Sequence, residues 1–271
     1  METLETLLVE RADGVAWVTL NRPAVYNAFN NQMQVELREL WASLRDDRDV
    51  RVIVLTGAGD KAFCVGVDRD EVDPRAVSDD DELPGWTTPW TYDDPSRYLG
   101  PKANDCWKPV IAAVNGMACG GAFYLLGEVE FIIAADHATF FEPHVTYGMT
   151  AAYEPVLLAQ KMPLQEVMRM SLLGAHERMS ARRAYEVGLV SEVVPADGLR
   201  AAAEWAAGVI ASAPPLSMQG TVRALWTAVD LPRQQALDMA YLFIRNGSDR
   251  AEMRASQERF ASGARVEYRV R

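Results

Sequence analysis

The chain has 271 residues, 49% hydrophobic and 24% charged, which is enough apolar material for one sizeable core and argues against a mainly disordered state. Its 38 Asp and Glu outweigh 27 Lys and Arg, and the resulting net charge of −11 disfavours nucleic acid and anionic membrane surfaces as partners. No apolar run approaches the roughly 20 residues of a membrane span, the first ten residues carry three Glu and no base, unlike a secretory signal, and three widely spaced cysteines (Cys64, Cys106, Cys119) make neither a disulfide framework nor a zinc pattern.

A cytoplasmic home is therefore expected, and no metal site, since His137, His144 and His176 form no metal-ligand motif. In chain order, residues 7–10 and 15–20 read as two strands around Ala12-Asp13-Gly14. A helix over 31–45 follows, with Met33, Leu37, Leu40, Trp41 and Leu44 on one face and Asn30 or Asn31 as its cap. Residues 51–56 form a buried strand ending at Gly57-Ala58-Gly59. From Asp68 to Pro95 ten acids meet two bases, Arg69 and Arg75, among four prolines and the aromatics Trp86, Trp90 and Tyr92. That net −8 marks a long surface loop. Strands over 110–114 and 131–134 flank a helix from Gly120-Gly121 to about Glu128, with helices then expected over 154–161, 164–173 and 181–187 and a last strand over 190–194. Beyond Pro195 the pattern is helical: 199–212, 216–229, 233–244 and 249–260. Alternating strands and helices over residues 1–198, then a helical region over 199–271, make an α/β protein with a helical C-terminal unit.

Gly57-Ala58-Gly59-Asp60-Lys61-Ala62 fits G-x-G-x-x-A. A dinucleotide fold needs a helix to open there, whereas Phe63-Cys64-Val65-Gly66 reads as extended, so the motif is taken as a connection between strands. A second signal is a pair of glycine turns after buried strands, Phe63-Cys64-Val65-Gly66-Val67-Asp68 and Asn115-Gly116-Met117-Ala118-Cys119-Gly120-Gly121-Ala122. The second runs into a helix, whose free N–H groups favour an anion. Should the first turn aim an N–H at the same point, the two would make an oxyanion hole.

Six segments together resemble the enoyl-CoA hydratase/isomerase family, the crotonase superfamily. They are Leu20-Asn21-Arg22-Pro23 with Asn27-Ala28, the segment 54–59, the segment 63–68, Lys108-Pro109 through Asn115-Gly116, Gly120-Gly121, and Ala184 through Val190. Each is weak alone, but they occur in family order over roughly residues 7–260. The resemblance implies a spiral of repeated ββα units and a helical C-terminal region that builds homotrimers or hexamers. It implies a ligand held as a coenzyme A thioester, with no further cofactor because CoA belongs to the substrate. It assigns the oxyanion hole to the N–H groups of Val67 and Gly121, and puts substrate or CoA contacts near Ala24, Val25, Tyr26, Ala28, Gly66, Asp68, Arg69, Met117, Gly120 and Pro143. Arg22 is a further candidate for the CoA phosphates.

The sequence departs from that family where its hydratases carry two glutamates. The first position, three residues after the oxyanion glycine, holds Tyr124, and the second, after a proline, holds His144. The two-glutamate mechanism therefore does not carry over. His144 titrates near neutral pH and is the candidate proton carrier; some hydrolases of the superfamily that cleave β-diketones also use a histidine there. Tyr124 is a poor base with an ordinary pKa of about 10, and is expected either to hydrogen-bond substrate or water or to fill the space of the missing glutamate. Glu154, ten residues after His144, either orients His144 or a water or starts the next helix. Glu142 is expected to face solvent. No basic partner activates Cys64 or Cys119, and no G-x-S-x-G elbow occurs.

The expectation is an enzyme that stabilises the enolate of an acyl-CoA, by hydration, dehydration or double-bond isomerisation, with His144 moving the proton. Two alternatives stand beside it. One is a hydrolase of C–C or thioester bonds in which His144 activates water. The other is a non-catalytic acyl-CoA-binding protein.

Overall fold

The computed structural model describes residues 2–71, 94–263, 266 and 268–270, so most of the acidic segment, with its three aromatics, lies outside the described residues. The chain begins with β1 (Glu2–Thr3), β2 (Leu7–Ala12) and β3 (Val15–Leu20), the last two an antiparallel hairpin. α1 (Asn31–Asp46) starts where the Asn30 side chain accepts the Met33 N–H, and its stripe Met33, Leu37, Leu40, Trp41 and Leu44 is buried. Then come β4 (Val52–Gly57), β5 (Ala62–Cys64), α2 (Ser96–Leu99), β6 (Val110–Val114), β7 (Met117–Cys119), α3 (Ala122–Leu126), β8 (Phe131–Ala135) and β9 (Thr139–Phe141). α4 (Tyr153–Ala159), α5 (Leu164–Leu173), β10 (Met179–Ser180), α6 (Ala181–Glu186), β11 (Glu192–Val194) and α7 (Leu199–Ser212) complete the first compact unit, Met1–Ala211. The second, Ser212–Arg271, holds α8 (Pro215–Asp230), α9 (Arg233–Gly247) and α10 (Arg250–Ala261).

The repeat is visible in how the strands divide. The first strand of each pair, β4, β6 and β8, lies parallel in the middle of a seven-stranded sheet ordered β1-β2-β3-β4-β6-β8-β11. The second, β5, β7 and β9, forms a separate four-stranded sheet ordered β10-β9-β7-β5, again parallel to one another. This is the spiral of ββα units that the resemblance implies.

Strand alternation builds two cores, one on each face of the large sheet. Ile53, Leu55, Val110, Ala112 and Val114 point to the side covered by α1. Val52, Val54, Ile111, Ala113 and Ile133 point to the other, where Leu199, Ala203, Ala206, Ala207 and Ala211 of α7 close the face. A sheet buried on both faces needs uniformly apolar strands, which is why 52–55 and 110–114 are continuous apolar runs. It also explains why the first compact unit extends past the expected boundary at 198 to Ala211: without α7 that face of the sheet would be bare.

Candidate active site

Because β5, β7 and β9 are parallel, their C-terminal ends emerge on the same side, and the three segments that follow them meet there. After β5, Gly66 has φ +88, and a Cβ at that residue would stand 2.9 Å from the Gly121 nitrogen. Only glycine permits both the left-handed backbone and this approach. An isolated parallel bridge joins Phe29 to Val67. In it the Phe29 N–H donates to Gly66 O (2.9 Å) and the Asp68 N–H donates to Phe29 O (2.8 Å). Phe29 thus bonds the residues on either side of Val67 and leaves Val67's own N–H facing away from the bridge. After β7, Gly121 caps α3. Among the described residues neither the Val67 nor the Gly121 N–H donates a hydrogen bond, and both residues line the same cavity. α3 has five residues, so its dipole adds little and the donor itself matters.

After β9 come Glu142, Pro143 and a 3-10 turn over His144–Tyr147. The expectation that Glu142 faces solvent is wrong. Its exposure is 0%, because β9 carries Phe140 and Phe141 into the core and the acid follows them in. Its Oε1 accepts the His144 backbone N–H (3.1 Å) and bonds the ring Nδ1. The other ring nitrogen, Nε2, stands 3.7 Å from Glu154 Oε1. Glu154 opens α4 and is itself buried. The Tyr124 hydroxyl, on α3, donates to Asp94 Oδ2 (3.3 Å) and lies within hydrogen-bonding reach of Glu154. The hydrogen bond that the Glu142 carboxylate accepts from the ring holds the His144 imidazole above the ordinary histidine range, outweighing its partial burial. Burial pushes the Glu154 carboxyl above the usual glutamate range despite the Tyr124 bond.

These groups border a cavity of about 240 Å³ lined by Gly66, Val67, Arg69, Gly120, Gly121, Tyr124, Pro143, His144 and Glu154, together with Phe29, Val65, Asp94, Pro95 and Met149. The Arg69 guanidinium stacks 4.1 Å from the Tyr147 ring centroid, tying the Val67 loop to the His144 turn. Ala24, Val25, Tyr26, Ala28, Asp68 and Met117 do not line the cavity. Val25 and Tyr26 lie exposed around the 3-10 turn Pro23–Val25, and Met117 sits at the opening end of β7, its N–H on Lys61 O. Asp68 is buried and paired with Arg22 (2.7 Å). Arg22 also bonds Ala28 O and Glu71, so its guanidinium is already taken up within the protein. Cys64 and Cys119 are buried and their thiols pushed up, Cys64 to about 12, which leaves no thiolate nucleophile.

Glu142, His144 and Glu154 offer ligand-type atoms within 4.8 Å of one another. Yet the imidazole turns Nδ1 to one carboxylate and Nε2 to the other, on opposite edges of the ring. The set does not converge on one point and suits a proton relay rather than a cation. A wider concavity of about 410 Å³ between α5 and β10 is lined largely by charges already paired, Arg169 with Glu177 and Arg183 with Glu166.

Two N–H donors that bond nothing among the described residues, beside a titratable imidazole, suit an enzyme that polarises a carbonyl. Residues 10–269 match the family described as enoyl-CoA hydratase/isomerase, and the chain belongs to that family, within the crotonase superfamily. (E)-Benzylidenesuccinyl-CoA hydratase of Thauera aromatica is 36% identical over 248 residues, covering 90% of this chain and 92% of that protein. A carnitinyl-CoA dehydratase of Salmonella arizonae is 35% identical over 246 residues, covering 90% and 87%. The crystal structure of an enoyl-CoA hydratase/isomerase from Mycobacterium paratuberculosis superposes with a TM-score of 0.85 at 32% identity, covering 100% of both chains. The protein is accordingly an acyl-CoA-processing enzyme with the crotonase fold.

Proposed function

We propose that the protein adds water to, or removes it from, the α,β bond of an acyl-CoA thioester, with His144 as the proton carrier. The observation that carries this reading is that His144 lines one small cavity with Val67 and Gly121, whose N–H groups bond nothing among the described residues, while His144 Nε2 stands 3.7 Å from Glu154 Oε1. The two relatives named above are a hydratase and a dehydratase of CoA thioesters, which supports the same reaction class.

In the hydration direction the thioester oxygen takes hydrogen bonds from Val67 and Gly121. Water oxygen bonds to the β-carbon, its proton passes to Glu154, and the C=C electrons move through the α-carbon onto the thioester oxygen as an enolate. The His144 imidazolium then protonates the α-carbon. A proton crossing from Glu154 to Nε2 restores the starting state. Burial raises the proton affinity of Glu154 and the bond to Glu142 raises that of His144, and the two groups stand 3.7 Å apart, placed to exchange a proton. Tyr124 keeps the Glu154 carboxylate and its water in place. Coenzyme A arrives with the substrate, its contacts falling to Ala24, Val25, Tyr26, Ala28 and Arg69 as the family pattern implies, whereas Asp68, buried against Arg22, and Met117, at the opening end of β7, are left out; no separate cofactor enters.

The test is loss of enoyl absorbance with purified protein and a panel of enoyl-CoA thioesters, crotonyl-CoA first. His144→Gln is expected to lower kcat by about 100- to 10,000-fold, and a variant rate equal to wild type overturns the role of His144. Hydrolysis is the second reading, favoured by the carboxylate behind His144 Nδ1, a pairing that suits an imidazole to activate water. Stoichiometric release of free CoA, measured with a thiol reagent, identifies it. Tight acyl-CoA binding without any turnover identifies a protein that only binds.

A further inference from the structure

We propose that Glu142 is the positioning residue of this site: its buried carboxylate takes the Nδ1 hydrogen of His144 and thereby presents Nε2 to the cavity. The functional half of this proposal rests on His144 carrying the proton, whereas the positioning half does not.

Glu142 is fully buried, and its Oε2 has no hydrogen-bond partner among the described residues. A carboxylate in that position is held ionised only by a cation against it or by donors. Its described donors are the backbone N–H and ring Nδ1 of His144 itself, both on Oε1. The other titratable groups around the pair come from four elements. Glu154 approaches from α4 and Tyr124 from α3, Cys119 closes β7 with its thiol neutral, and Arg69 follows the β5 loop with its guanidinium turned over Tyr147. Arg69 opposes protonation of His144, and Glu142 and Glu154 favour it. The imidazole is therefore the cation that compensates Glu142, and the two hold one another in register. Local backbone enforces the pairing. Pro143 (φ −86, ψ −7) turns the chain between the strand end and the 3-10 turn, so that side chains two residues apart fall on one side.

Glu142→Gln keeps an oxygen that can accept from Nδ1 but removes the charge. The readout is the two-bond nitrogen–proton spectrum of the three imidazoles across a pH series, with His144 assigned as the signal lost in His144→Gln. Wild type is expected to show neutral His144 as the Nδ1–H tautomer, with its midpoint above the ordinary histidine range. In Glu142→Gln the His144 midpoint falls by about one pH unit or more, tenfold in proton affinity, and Glu142→Asp restores part of it. The limb of the kcat/KM profile set by His144 moves with the midpoint. An unchanged midpoint in Glu142→Gln, or an Nε2–H tautomer in wild type, overturns the proposal, and the second of these needs no variant to fold. A midpoint that moves while the rate profile stays fixed supports the positioning role and overturns His144 as the proton carrier.

Discussion

Gly121 has no room for a side chain. A Cβ there would lie 2.5 Å from Phe29 Cε1 and 3.3 Å from the Tyr124 ring. Phe29 is buried and carries the bridge to Val67, so it cannot yield without moving the other donor. Gly121→Ala is therefore expected to displace the pair and lower kcat by about 100- to 1,000-fold, the usual effect of losing one oxyanion donor, with the circular dichroism of the wild type. A kcat within about threefold of wild type would argue that these N–H groups do not hold the thioester oxygen. At this scale the glycine turns are legible in the sequence and the buried acid is not. Gly66 and Gly120-Gly121 stand out because their backbone needs are local, whereas a donor role for the Val67 and Gly121 N–H groups comes from the family resemblance. Glu142 has no local signal beyond the aromatic pair Phe140-Phe141 before it, and an acid next to proline reads as a surface turn. Its burial follows from where β9 goes, which is a tertiary fact.

The elements that position the site are the least regular ones. β5, β7 and β9 have three residues each, and their partners lie far away in sequence. The long apolar strands and the amphipathic helices were legible, with α5 and α7 found at their observed bounds. By contrast, β7 read as part of a glycine turn and β9 went unread, because three residues carry no period. Asn27 shows how such short elements are fixed. It is fully buried with φ +57, its Nδ2 donates to Ala58 O (3.0 Å) and Ala62 O (2.8 Å), and its Oδ1 accepts the Arg22 N–H (3.0 Å). One side chain thus ties the turn before Phe29 to both ends of the β4–β5 connection. Asn27→Ala leaves Ala58 O and the Arg22 N–H without the Asn27 partner, while Ala62 O keeps Asn115 Nδ2 (3.2 Å), and is expected to lower stability by about 2–3 kcal/mol in urea unfolding. A loss below about 0.5 kcal/mol would mean that water replaces all three bonds.

At the scale of the whole molecule, composition excluded more than it identified. The net charge of −11 is concentrated between residues 68 and 95, so it says little about how the rest of the surface meets a phosphorylated ligand. The second compact unit carries Leu225, Tyr241, Ile244 and Phe260, each at least 64% exposed. Apolar exposure on that scale is unusual for a solitary chain and fits an assembling surface. Light scattering is expected to give about three times 30.0 kDa, or twice that for a dimer of trimers, and a mass of 30.0 kDa would exclude the expected trimer. The two-sheet spiral was accessible only through the family resemblance. Its pairings join residues 62–64 to 117–119 and 117–119 to 139–141, separations that no local pattern encodes.

The bridge between Phe29 and Val67 consists of two hydrogen bonds and belongs to no sheet. Segments secured by so little backbone pairing open at lower free energy than the strands beneath them. The enzyme should consequently lose activity on heating before it loses its fold. Residual activity, assayed at temperature, is expected to fall several degrees below the melting of the helical circular dichroism signal, with amide exchange at Phe29 and Asp68 outpacing that of β4 and β6. Coincident loss of activity and structure would mean that this corner melts only with the whole.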